Sequence, residues 1–134
     1  MRARFDHEKL NVYQRSLQFV VWTVEVLDRI PAKLSAHGQI GRASSSIPLN
    51  IAEGNGRYTS ADRCRFFDAA RGSALECAAA LDVLVAKNVL PENEIEAGKA
   101  QLFELVNMLV GLIRSNSETR LHEDEIPYKI AEPV

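Results

Sequence analysis

SIPLNIAEGNGR, Ser46 to Arg57, is the stretch on which the reading of this chain turns. A proline sits inside a segment that otherwise favours helix, and two glycines follow it closely. Pro48 lacks an amide, which predicts a bend or a local break. Gly54 and Gly56 are expected to end the helix. Asn50, Glu53 and Arg57 crowd the same few turns. The stretch is therefore either a binding loop or the polar corner of a helical scaffold.

The flanking sequence is helical in period. From Leu10, apolar residues fall at Leu10, Tyr13, Leu17, Val20, Val21, Val24 and Leu27. Steps of three and four make one stripe on a helix expected from about His7 to Ile30, with Asp6 as its cap. Val12, Phe19, Trp22 and Val26 lie off that stripe. They predict either a broad core face or a surface for a partner subunit. Pro31 separates this helix from a second, expected over about 32–53, with Leu34, Ile40, Ala43, Ile47 and Ile51 inward. Thr59-Ser60-Ala61-Asp62 fits a capping box and opens a third helix, about Ser60 to Lys87. Pro91 and the glutamates after it open a fourth, about Pro91 to Asn116. Four amphipathic helices with short links predict an all-α, antiparallel up-and-down four-helix bundle over residues 1–117. The segment 118–134, with five acidic and two basic residues, reads as a partly ordered acidic tail.

Composition narrows the function classes. The 134 residues carry a formal net charge of -2 and 46% apolar residues, as expected of one globular domain. Charge is uneven. Residues 1–58 hold eight basic and five acidic groups; residues 91–134 hold four basic and nine acidic. No apolar run is long enough to span a bilayer, and no signal peptide is visible, so a cytoplasmic protein is expected. Cys64 and Cys77 share one expected helix, about 20 Å apart, beyond disulfide reach.

The catalytic motifs fail on spacing. Gly54-Asn55-Gly56-Arg57 lacks the frame of a phosphate loop and follows no strand. The three histidines show no metal-ligand spacing, and no Glu-x-x-His occurs, so neither zinc nor a di-iron centre is expected. Ser44, Ser45 and Ser46 have no positioned base. Their hydroxyls are expected to bond backbone near Pro48. No cofactor and no enzyme activity are expected. Asn50 and Glu53 share a helix face and can meet Arg57 or an arginine across the corner, such as Arg71. The first reading is a network that fixes the corner; the second is an RNA- or protein-binding site. Candidate phosphate contacts are Arg42, Arg57, Arg63 and Arg65, with Arg2, Arg4, Lys9 and Arg15 scattered elsewhere.

Three stretches carry a family resemblance: Leu10 to Ser16, Gln39 through Arg57, and Arg65-Phe66-Phe67 continuing to Ala70 through Glu76. With Phe5, they make the chain resemble the 23S ribosomal RNA intervening-sequence proteins, also called the S23 ribosomal protein family, over about residues 5–115. The resemblance implies a bacterial four-helix bundle that assembles into homopentamers. Its name reflects gene location and implies no ribosome membership. A distant branch resembles the accessory protein of diversity-generating retroelements, a basic pentamer that works with a reverse transcriptase and nucleic acid. The acidic balance here argues against transferring that activity. Asn50, Glu53, Arg57 and Glu76 match the family's recurrent polar residues; Pro48 and Gly54 match the positions that shape the segment. The resemblance assigns them a shared structural or interaction role. Tyr13 and Gly41 depart from the pattern, where relatives often carry tryptophan and arginine. The expectation is a non-enzymatic oligomeric scaffold or adaptor. The alternative is an RNA- or DNA-binding accessory factor.

Overall fold

The structure, a computed structural model, describes residues 2–124, with side chains to Ser117. A 3-10 turn, Asp6–Lys9, leads into α1 (Asn11–Asp28), α2 (Ser35–Asn55), α3 (Ser60–Ala86) and α4 (Glu92–Asp124). No strand occurs among the described residues. The helices alternate in direction. On α1 and α4, Arg15 pairs with Glu104, Trp22 covers Gly98, and Arg29 meets Glu94 at 3.0 Å. One sequence rises as the other falls, so the two are antiparallel. Helix α2 packs on α3 and α3 on α4, and α1 closes the ring of four.

The core seam of α1 is not the apolar stripe read from the sequence. Val12, Ser16, Phe19, Thr23, Val26 and Ile30 are the buried set, spaced four-three-four-three-four. The Ser16 hydroxyl donates to the Tyr13 carbonyl and the Thr23 hydroxyl to the Val20 carbonyl. Each is satisfied within its own helix, so each sits in the core without a stranded donor. Phe19, Val26 and Val12 are therefore core, and Trp22 fills the α1–α4 contact. Conversely, Val21 is 69% and Val24 59% exposed, while Leu10, Tyr13 and Leu27 are half-buried flanks.

Helix α2 runs unbroken through Pro48, which is buried. The expected break does not occur. Pro48 has no amide to give the Ser44 carbonyl, yet the turn before it is tied by hydroxyls. Ser44 and Ser45 both donate to the Gly41 carbonyl, and Ser46 to that of Ala43. Gly54 lies inside the helix and does not end it; Gly56 forms the cap with an ordinary right-handed backbone. A Cβ on Gly54 would lie 2.7 Å from Phe67 Cε1. The residue is a packing contact that brings α2 against α3.

Helix α3 opens at Thr59, whose hydroxyl accepts the Asp62 amide at 3.2 Å. It ends on Asn88, the one non-glycine residue with positive φ among the described residues, at 60°. Val89 donates to the Leu84 carbonyl and Asn88 to that of Val85, a complete Schellman closure. Helix α4 outlasts its expected end at Asn116. Residues 117–124 contain no proline or glycine, so no strong helix breaker ends α4 at Asn116. The rest of the expected tail, from 125, lies outside the described residues. Asp6 was expected to cap α1; that cap is Leu10, and Asp6 accepts instead from Asn55. Fully buried Phe19, Phe67, Ile47, Ile51, Leu81, Leu84 and Leu105 centre the core. Each such side chain contributes roughly 1.5–3 kcal/mol by burial.

Candidate functional site

The α2–α3 corner is built from the end of one helix and the start of the next. Gly56 caps α2 and Thr59 caps α3, so only three residues, Arg57, Tyr58 and Thr59, cross the gap after that cap. Arg63, one turn into α3, reaches back across it. Its guanidinium donates to the Asn55 carbonyl at 2.7 Å and to Asn116 Oδ1 on α4 at 2.9 Å. Asn55 in turn donates to Asp6 Oδ2 at 2.9 Å. One half-buried cation therefore joins α2, α3 and α4, and Asn55 extends the clamp to the N-terminal turn. Neither Asn55 nor Asn116 is among the residues the sequence singles out, and Arg63 stands there as a candidate phosphate contact. Its position one turn after a capped corner is the only sequence cue to a clamp.

The expected polar network is only partly assembled. Glu53 and Arg57 pair at 2.9 Å, but both side chains are exposed. Asn50 donates to the Ser46 carbonyl of its own helix. Arg71 pairs with Asp68 along α3. Glu76 is exposed and lies five residues beyond Arg71 on α3, outside the corner. Pro48 and Gly54 are buried and shape the backbone. Arg42 lies on the outer face of α2, its guanidinium 3.2 Å from where a Gly38 Cβ would stand.

An arginine–aromatic cluster occupies the outer side of the corner. The Arg57 guanidinium lies 4.5 Å from the centre of the Phe66 ring, and that of Arg65 lies 5.2 Å from it. Arg63 lies 5.8 Å from the Phe67 ring. Both guanidinium groups lie within cation–π range of the Phe66 ring, while Arg57 also donates to Glu53 and Arg65 lies near Asp62. Tyr58 is fully exposed beside them. Ala52, Glu53, Gly56, Arg57, Tyr58, Thr59 and Asp62 border an open cleft of about 420 Å³. Glu53 and Asp62 also offset the charge: Asp62 lies 3.6 Å from Arg65. The cleft is thus amphoteric, with an aromatic lip, and not strongly cationic.

Other reactive groups are occupied. Burial, reinforced by Glu76, pushes the Cys77 thiol from 9.0 to about 12, so at neutral pH it is a protonated, inert thiol. Cys64 is buried and donates to the Ile113 carbonyl. His7 packs between Phe5 and Tyr13. Among the described residues, no three His, Cys, Asp or Glu side chains converge to hold a metal ion. No described helix is long and apolar enough to cross a membrane.

These features define an all-α four-helix bundle whose candidate site is a surface arginine–aromatic corner. The chain belongs to the family of the 23S rRNA-intervening sequence protein, whose model matches residues 8–111. It is similar in structure to a protein of unknown function from the S23 ribosomal protein family of Bacteroides thetaiotaomicron VPI-5482. That likeness has a TM-score of 0.72 with 24% identity, covering 77% of this chain and 98% of that one. At this identity it shows the fold alone. No curated protein matches the chain.

Proposed function

We propose that this protein is a non-enzymatic helical-bundle scaffold or adaptor that assembles with copies of itself. The carrying observation is apolar surface left uncovered by the closed bundle: Val21, Val24, Leu75, Val83 and Phe103 are each at least 44% exposed. These residues lie on regular helix, where turn geometry imposes no apolar choice. Val21 and Val24 lie together on α1, and Leu75 and Phe103 border one groove between α3 and α4; exposed apolar patches of this kind mark interaction surfaces. We take the assembly to be a homopentamer, the state the family resemblance implies, and assign it to the bacterial cytoplasm. Multi-angle light scattering across a dilution series tests the reading. A stable multiple of 14.9 kDa is expected; a mass of one chain at all concentrations would refute it.

A second reading has its own observation. Tyr58, Arg57 and Arg65 together offer an exposed stacking ring and two guanidinium groups, which suit single-stranded nucleic acid. Arg42 lies about four turns back along α2, away from this patch, and Arg63 is committed to its clamp. In this reading the scaffold is an RNA- or DNA-binding accessory factor. Fluorescence anisotropy with a labelled oligoribonucleotide at two salt concentrations tests it. Tyr58→Ala should weaken binding by about 1–3 kcal/mol, and higher salt should weaken it further. Binding indifferent to both would remove the reading.

A further inference from the structure

We infer that the N-terminal arm is a second subsite for single-stranded nucleic acid, so that one strand runs over the end of α2 from Tyr58 to Phe5. This rests on the second reading above and extends its footprint. The corner alone is short of free charge. Arg57 pairs with Glu53, Arg65 lies near Asp62, and Arg63 is held in its clamp. Arg15, farther along α1, is paired with Glu104. The arm supplies the missing cations. Arg2 and Arg4 are exposed and make no ion pair among the described residues. With Phe5 and Glu8 they line an open cleft of about 580 Å³. Glu8, the carboxylate of that cleft, is turned to the backbone and accepts the Arg4 and Phe5 amides at 3.1 and 3.4 Å.

The arm is tied to the corner. Asp6 accepts from Asn55 in the last turn of α2, while Ala52, Glu53 and Gly56 at the same helix end border the corner cleft. At 100° per residue, Asn55 lies roughly 100° around α2 from the middle of that trio. The two clefts are therefore neighbours across one helix end, not opposite faces. Through the Asp6–Asn55 bond, the chain path keeps the Phe5 and Tyr58 Cα atoms within roughly 25 Å of each other. At about 3.4 Å per stacked nucleotide, a strand of roughly seven covers that span.

Each end of the path carries an exposed ring. Tyr58 is fully exposed and Phe5 is 62% exposed. His7 lies parallel to Phe5 with centroids 5.9 Å apart, and meets Tyr13 edge-on at 4.8 Å, which ties the arm's ring to α1. Exposed rings offer faces to unpaired bases, which a duplex keeps stacked within itself. Two free guanidinium groups beside Phe5 suit the phosphates between those bases. An acidic peptide would engage the charges and leave both rings without a base to stack on.

Fluorescence anisotropy tests the subsite, using the full chain without an N-terminal tag and a labelled oligouridylate of about 12 nucleotides. Arg2→Ala/Arg4→Ala should weaken binding and reduce the slope of log affinity against log salt by about 1.4, the share of two phosphates on a single strand. Arg2→Lys/Arg4→Lys should restore that slope. Phe5→Ala should weaken binding roughly 5- to 100-fold and leave the slope unchanged. All three positions are exposed, and circular dichroism checks the fold. The duplex of the same strand with its complement should bind more weakly and be indifferent to Phe5→Ala. Arm variants that keep wild-type affinity and slope, while Tyr58→Ala weakens binding, remove the arm subsite and leave the corner reading standing. A duplex bound as tightly as the strand overturns the single-strand chemistry. Displacement of the strand by an equimolar acidic peptide assigns the surface to protein instead. A wild type that binds no strand overturns the second reading and the arm subsite with it.

Discussion

Replacing Gly54 with alanine adds one methyl group to the most crowded point of the α2–α3 contact. The new Cβ would stand 2.7 Å from Phe67 Cε1, 2.9 Å from Cδ1 and 3.0 Å from the Phe66 Cβ. Phe67 is fully buried beneath the Arg63 guanidinium, so its ring has nowhere to retreat. Overpacking of this kind costs about 1–3 kcal/mol. Alanine's helix preference returns up to about 1 kcal/mol in a helix interior, and less in the last turn. Gly72→Ala is the control. Gly72 is mid-helix in α3, and its added Cβ meets nothing within 4 Å, so it should gain about 0.5–1 kcal/mol. The two variants should therefore move in opposite directions, separated by roughly 1–3 kcal/mol. Urea unfolding followed by circular dichroism, at one fixed protein concentration, measures the gap. A Gly54→Ala protein as stable as Gly72→Ala would refute the packing role and leave Gly54 a simple helix residue.

Further predictions test the corner, the α3 closure and the buried thiol. Arg63→Ala should lower stability by about 1–3 kcal/mol by leaving the Asn55 and Asn116 acceptors unmatched. Arg63→Lys should recover little, since one ammonium cannot span both; full recovery in urea unfolding would contradict the clamp. Asn88→Gly should be neutral or stabilising, whereas Asn88→Ala should cost about 1 kcal/mol at this positive φ, as thermal melts would show. Cys77 should resist a thiol reagent in the native protein at pH 8 and react on unfolding. Its folded pKa is raised from 9.0 to about 12, so the native state holds the proton more tightly. Its contribution is then fully present below pH 9 and is lost as pH rises toward 12. The stability difference between wild type and Cys77→Ala should shrink across that window and stay flat below it.

Local chemistry was the most legible part of the sequence. Thr59 announced its cap because a hydroxyl three residues before an amide is a short-range signal. The serines before Pro48 announced their backbone bonds for the same reason. The phase of α1 was hidden because two of its core positions are Ser16 and Thr23. Counting apolar residues alone skips both and selects the neighbouring stripe, which supplies the flanks and the exposed Val21 and Val24. Gly54 was visible as a glycine, but its reason is a phenylalanine on another helix. Arg63 looked like any surface cation until the fold set Asn55 and Asn116 beside it. The helical boundary at Asn116 failed because the apolar pattern was taken as the limit of the helix, while no proline or glycine follows to break it before Asp124.

As proposed, exposed apolar helix faces join copies of this chain into one defined assembly. Native mass spectrometry of the full-length protein tests it most directly, because it counts chains. A single dominant species of five chains of 14.9 kDa each is expected. A spectrum holding only the single chain would contradict it.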